Sequence, residues 1–447
     1  MPPRGGRGQY VAMAPTPLKA TLLAAASVLL APSPAAAENW PQWRGPSGDG
    51  TSPEKDLPLE WSREKNVLWR LPLPGAAGST PAVWGETIFL TSADGADIVL
   101  IAISTAGKEL WRRKLGTGNK AVRGDEGNSA APSPSTDGEH VWAMAGTGEL
   151  ACHDLAGKEV WKFDLEERHG RYRIQFGMTS TPVLHGDSLY IHCIHSGTPY
   201  VLALDKKTGK DRWKVERKTD ARAECEHAYT SPILYRDADR FLLLVHGADW
   251  ITAHGLEDGS EVWRSGELNR PGDRYNPTLR FVASPVCRPG RIIVPSAKNG
   301  PVHCLRPGGA GKAGPERVWA LDRNTPDVPT PALDEKHVYL LRETGVLIVL
   351  DGETGKALYE ERVLSERVRA SPVVADGKVY CTAADGETAV VKAGGAFELL
   401  ARNSIDERVA ATIVVSGGRL YLRSYDALYA IGRADPPAGG DAAGGGR

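Results

Sequence analysis

The sequence lacks paired cysteines, an excess of either charge, and any apolar run long enough to cross a bilayer. Its 447 residues carry 54 basic and 55 acidic side chains, a net charge of −1. No global field draws such a chain to nucleic acid or to an anionic membrane, so a polyanion partner is disfavoured. The six cysteines, at 152, 193, 225, 287, 304 and 381, are never adjacent. Their spacing does not make a disulfide framework. Most read as small buried hydrophobes, with Cys225, in an expected loop, as the exception. The longest apolar run, Thr21–Ala31, is too short for a retained span. There is no His-Glu-x-x-His helix, phosphate-cradling glycine loop or nucleophile elbow. Aromatic residues are only 7% of the chain, yet 12 of them are Trp, a bias that needs a structural cause.

Residues 1–37 read as an export signal. Arg4, Arg7 and Lys19 precede the apolar run, and Ala35-Ala36-Ala37 offers a small-x-small cleavage site. No cysteine stands at that site to take a lipid. The expectation is a soluble periplasmic or secreted protein with no membrane span.

What is present is a repeat. A small-residue pair and a proline open each unit, at Pro81, Pro134, Pro182, Pro232, Pro285, Pro331 and Pro372, with Ile413 in the eighth place, at spacings of 41 to 53 residues. This is the period of a propeller blade. In the third unit Thr181–Leu184, Ser188–His192, Tyr200–Asp205 and Asp211–Val215 read as four short strands divided by Gly- and Asp-bearing turns. Trp111, Trp161, Trp213, Trp263 and Trp319 all fall on fourth strands, with Tyr359 and Leu399 in the equivalent places. A ring there can cover the face of the next blade, which makes these tryptophans core residues. The eighth unit ends at Ile431 without a fourth strand, while Asn66–Pro72 resembles an orphan fourth strand. The spacing therefore predicts an all-β fold: an eight-bladed β-propeller of four-stranded antiparallel blades, its ring closed by an N-terminal strand. The expected division is a signal at 1–37, a Trp/Pro/Gly-rich cap at 38–60, the propeller at 61–433 with short loops between blades, and a disordered tail at 434–447. The two Trp of Trp40–Gly50 either plug one end of the ring or form a ligand lid or partner epitope.

The unit Ala203–Trp213, echoed at Val349–Lys356, resembles the pyrroloquinoline quinone (PQQ) enzyme repeat. The opening Asn39–Pro46 is similar to the N-terminal signature of exported PQQ-binding-like propellers. The resemblance implies one of two roles. One is a non-catalytic binding or protein-interaction scaffold, as in the outer-membrane β-barrel assembly lipoprotein. The other is a PQQ-dependent oxidoreductase acting on an alcohol or sugar. Quinoprotein dehydrogenases carry a disulfide between adjacent cysteines, long insertions and a Ca²⁺ held by carboxylate and amide groups. This sequence has no adjacent cysteines and no dense acidic cluster. That departure favours the scaffold, with PQQ as the cofactor the resemblance allows.

Five residues before each opening position stand Ala76, Ser129, Gly177, His227, Arg280, Pro326, Arg367 and Arg408, one per blade at the mouth of the channel. His227, Arg280, Arg367 and Arg408, with Arg369 nearby, form a candidate site for a small anionic ligand or for PQQ, itself a tricarboxylate. The competing reading has Glu366 and Glu407 neutralising the adjacent arginines. No metal site is expected: His192 and His195, three apart on a strand, point to opposite faces, and Cys225-Glu226-His227 lacks a second ligand pair.

Overall fold

The computed structural model describes residues 38–122, 127–237, 240–269, 272–297, 300–308, 314–323 and 325–433. The export-signal and tail expectations lie outside them. Eight sheets follow one another along the chain, each built on an antiparallel meander of consecutive strands. In the third blade the strands are Val183–His185, Ser188–Cys193, Tyr200–Asp205 and Asp211–Glu216. The eighth blade takes Val414–Ser416, Arg419–Arg423 and Ala427–Ile431 from the end of the chain and Val67–Pro72 from its beginning, paired antiparallel to Ala427–Ile431. The ring is thus closed by the N-terminal strand. Helix is confined to Leu165–His169, capped by the Asp164 carboxylate, and to short 3-10 turns among the described residues. None of these is long and apolar enough to cross a membrane.

Two belts hold the blades together. The inner one is built from the residue just before each opening position. The backbone N–H of Thr80 donates to Ser133 Oγ, Ser133 to Thr181, Thr181 to Ser231, and Ser231 to Ser284. Ser284 continues to Thr330, Thr330 to Ser371, Ser371 to Thr412, and Thr412 back to Thr80, all eight bonds spanning 2.9–3.1 Å. Each bond satisfies a buried N–H that has no strand partner, at a net contribution of roughly 1 kcal/mol. Only a short hydroxyl-bearing side chain reaches across, which is why Ser or Thr recurs there.

The outer belt explains the tryptophans. A Cβ placed on Gly107, Gly157, Gly209, Gly259 or Gly355 would fall 2.5–2.7 Å from the ring of Trp69, Trp111, Trp161, Trp213 or Trp319 respectively. Each glycine, in left-handed φ at a third-to-fourth-strand turn, therefore receives the Trp of the preceding blade rather than its own. The indole N–H of Trp69, Trp111, Trp213 and Trp319 also donates to a carbonyl of that next turn at 2.8–3.0 Å. A register shift recurs beside the fourth strand of every blade, as between Cys152 and His153 or Val349 and Leu350. Such bulges add twist and blunt the outer edge.

The cap crosses one face of the ring. Trp40 is fully buried and exchanges two backbone hydrogen bonds with Val83 of the first blade. Arg44, 1% exposed, donates to the carbonyls of Pro331 (2.6 Å) and Pro372 (3.2 Å) in the sixth and seventh blades. A side chain at Gly50 would collide with its guanidinium. Thr51–Ser52 adds a fifth, parallel strand to the seventh blade, and Trp61 N donates to Asn403 Oδ1. Of the two Trp in the segment, Trp40 is thus a core residue.

The loops are not uniformly short. Connections 118–134, 165–182, 217–232 and 266–285 are markedly longer than 322–331, 363–372, 405–413 and 73–81. The spacing of the opening positions carried this signal: it is 48–53 residues where the connection is long and 41–46 where it is short.

All six cysteines are free thiols. Cys152 and Cys304 stand opposite Trp161 and Trp319 in equivalent register. Cys225 is a correction: it is fully buried, its Sγ 3.1 Å from Asn276 O. Burial pushes the thiols of Cys152, Cys287 and Cys381 up to about 12. Native protein at pH 8 should therefore react slowly with a disulfide reagent, and denatured protein without reductant should release at least four thiols. Fewer than four would mean that the blade register is wrong.

Candidate functional site

Antiparallel order puts the connections between blades and the second-to-third-strand turns on one face, opposite the cap. We call this the mouth face. Ser129, Arg367 and Arg408 occupy one place on it in three blades: their carbonyls accept from the N–H of Gly146, Ala384 and Tyr425 at 2.7–2.8 Å. Both arginine side chains are exposed. The Arg408 guanidinium lies 5.5 Å over the Tyr425 ring, and Arg369 is half-buried two residues from Arg367.

Arg280 and His227 lie on a separate pair of connections. A parallel bridge joins Ala228 to Phe281, and Tyr229 N donates to Phe281 O at 2.7 Å, which draws the two connections together. Arg280 is 8% exposed, 3.8 Å from Glu224 Oε2 and 5.1 Å over Phe176. His227 is half-buried, its Nε2 3.5 Å from Ser196 Oγ, and burial pushes its imidazole below the usual range. The structure thus brings the connections bearing His227 and Arg280 side by side, their side chains on different neighbours, and sets Arg367 and Arg408 at matching places on two other connections.

Glu407 is engaged by donors other than its neighbour's side chain. It accepts from Ser424 Oγ, Tyr429 OH (2.6 Å) and Arg70 of the closing strand (2.8 Å). Burial alone would raise its carboxyl, but these three donors hold it below the ordinary value. His192 and His195 are likewise apart: His192 Nε2 bonds Thr230 O at 2.7 Å, while His195 Nδ1 accepts from Gly197 N. Cys225 and His227 face different neighbours as well, Asn276 and Ser196.

Sequence reasoning missed three buried arginines. Arg44 is described above. Arg217 donates to Thr252 Oγ1, Gly247 O and Trp250 O at 2.8–3.1 Å. Arg423 donates to Ser79 O and Ser92 Oγ at 3.2–3.3 Å. Their acceptors are neutral, and desolvation lowers all three, Arg217 and Arg423 to about 9 and Arg44 to about 10. Only Arg423, interrupting an apolar strand, left a trace in the sequence.

The pattern that the sequence resemblance implies, adjacent cysteines and an acidic calcium cluster, has no counterpart among the described residues. No two thiols adjoin, and the belt tryptophans are locked between blades. Among the described residues the only cluster with three metal-binding side chains is Asp137, Glu139 and His140. It lies on the capped face, where Asp137 accepts from the N–H of Glu139 and His140 and pairs with Lys206 at 2.9 Å.

The sequence profile described as outer membrane protein assembly factor BamB, a PQQ-type repeat, matches residues 59–191, 98–215 and 247–396. The chain belongs to this PQQ-repeat family. No curated protein matches the propeller by sequence. Among solved structures, BamB from Moraxella catarrhalis is 15% identical at a TM-score of 0.59, covering 82% of this chain and 97% of that one. The quinohemoprotein alcohol dehydrogenase from Comamonas testosteroni is 14% identical at a TM-score of 0.66, covering 90% and 82%. The computationally designed Ika8 protein is 13% identical at a TM-score of 0.59, covering 82% and 100%. At these identities the likeness is one of fold, shared by an assembly factor, an enzyme and a design.

Proposed function

We propose that this PQQ-repeat propeller is an exported, non-catalytic binding or protein-interaction scaffold that acts in the periplasm or outside the cell. The observation that supports this most is the mouth face. It presents arginines at matching places and lacks, among the described residues, a carboxylate cluster that would hold a metal. Guanidinium groups around a shared opening suit a ligand bearing several carboxylates, since their planar donor forks match that group. PQQ is one such anion, and it would serve here as a ligand without turnover. The rival role is a PQQ-dependent oxidoreductase acting on an alcohol or sugar.

One experiment separates the two. Purified mature protein incubated with PQQ and Ca²⁺ should reduce no artificial dye with ethanol or glucose, while calorimetry should detect citrate or PQQ. The double variant Arg367→Gln/Arg408→Gln should weaken that binding at least tenfold with little change in melting temperature, because both side chains are exposed. Adding Arg280→Gln should abolish binding and also lower stability, since Arg280 is buried beside Glu224 and Phe176. Dye reduction would establish the oxidoreductase. Absence of anion binding would remove the site.

A further inference from the structure

A cavity of about 900 Å³ opens between the connections that flank the fourth blade. Its floor is Asp249, 7% exposed, in the turn between the second and third strands of that blade. Asp249 Oδ2 accepts from Tyr275 OH at 2.6 Å, whereas Oδ1 is buried with no hydrogen bond of full geometry: the nearby Asn269 amide, which helps to lower this carboxyl, donates to Asn276 O at 3.0 Å instead. A buried carboxylate oxygen with no donor is costly, and such groups persist where something else supplies the donor. Burial also pushes this carboxyl above its ordinary range. The backbone is strained here too. Of the eight non-glycine residues with left-handed φ among the described residues, Ala223, Ala248, Asp249 and Glu267 all lie on the segments around this cavity, and strain of this kind concentrates at binding sites.

The lining narrows the ligand class. Three carboxylates (Asp220, Asp249, Glu267) and three guanidinium groups (Arg222, Arg264, Arg317) share the wall with Trp250, Asn269 and Tyr275. Arg317 pairs with Glu267 at 2.5 Å, Arg264 with Glu261 at 2.5 Å, and Asp220 accepts from Trp250 Nε1 at 2.8 Å. A free anion would meet the carboxylates, a free cation the guanidinium groups, and an apolar ligand would strip water from both. A neutral molecule whose groups both donate and accept has none of these costs. We propose that this cavity binds a neutral polyhydroxylated ligand, an oligosaccharide, with one hydroxyl donating to Asp249 Oδ1. Arg222, stacked 4.4 Å over the Tyr275 ring, supplies a flat donor surface beside it. The volume lies within the range of small-molecule sites.

Maltotriose, cellotriose and chitotriose are the probes, titrated by ligand-observed NMR and calorimetry against the full mature protein. At least one should bind in the millimolar range or tighter. Asp249→Asn should weaken it at least tenfold, because the amide offers one acceptor fewer and a donor that clashes with the hydroxyl proton. Asn tolerates left-handed φ, so the variant should keep the melting temperature. Tyr275→Phe should weaken the same sugar without affecting citrate binding at the mouth. The proposal is overturned if none of the three binds, if Asp249→Asn leaves binding unchanged, or if glycylglycine displaces the sugar, which would mark the site as one for zwitterions.

Discussion

Removing residues 38–73 should abolish cooperative unfolding of the propeller, whereas removing residues 434–447 should leave its melting temperature unchanged. The first deletion takes away the closing strand Val67–Pro72 with the Trp69 indole against Gly107, the buried Trp40, Leu57 and Trp61, and Arg44 with its two carbonyl acceptors. Full burial of a large apolar side chain contributes about 2–3 kcal/mol. The loss is therefore on the order of 10 kcal/mol, comparable with the whole stability of an ordinary domain. It also opens the outer edge of Ala427–Ile431 to any passing strand. Differential scanning calorimetry with size-exclusion chromatography would show aggregation for this truncation alone. Equal melting temperatures for the two truncations would mean that the ring does not depend on its closing strand.

Acid should destabilise the protein well before its carboxylates titrate. His192 and His246 are fully buried, and desolvation lowers both to about 3. Arg217, itself a cation, adds to the lowering of both, and His254 is also held below its usual range by burial. The unfolded chain takes up protons at these imidazoles below about pH 6.5 while the native state does not, so stability falls with falling pH from 6.5 to about 3. Two such groups remove on the order of 5 kcal/mol by pH 4.5. The His246 ring nitrogens face the backbone carbonyls of Pro295 and Trp250 outside full hydrogen-bond geometry, and the ring meets Phe281 edge-on at 5.0 Å. His246→Phe should therefore fold and flatten the acid limb by one proton. If melting temperature against pH has the same slope in both proteins between pH 4.5 and 6.5, these histidines are not the cause.

The sequence made the blades legible because each strand is a short apolar run between glycines or aspartates. In the third blade the expected and observed strands agree to within two residues. The orphan Asn66–Pro72 was readable for the same reason. Features that join one unit to the next were not readable as such. The recurring glycine lies four residues before a tryptophan of its own unit, yet it receives the tryptophan of the unit before. Arg44 looks like a surface residue in a Pro/Gly-rich segment until its acceptors, nearly three hundred residues or more away, are known. At the candidate site, the register alone put Arg367 and Arg408 at matching places. It did not foresee that Glu407 would turn to Arg70, or that Arg280 would sink against Phe176, since those partners sit on other blades.

The hydroxyl belt has a consequence for how such a molecule arises and grows. Every unit brings one N–H and one hydroxyl, and neither has an outlet inside its own unit. Copying the stretch of gene that encodes a unit therefore copies both halves of the joint, and a newly duplicated blade arrives already able to clasp its parent. Such an array has no natural stopping point except geometry: it ends when the last hydroxyl comes round within reach of the first, as Thr80 does for Thr412. The inner circumference then counts the blades, and a ninth copy would have to reopen every joint to be admitted.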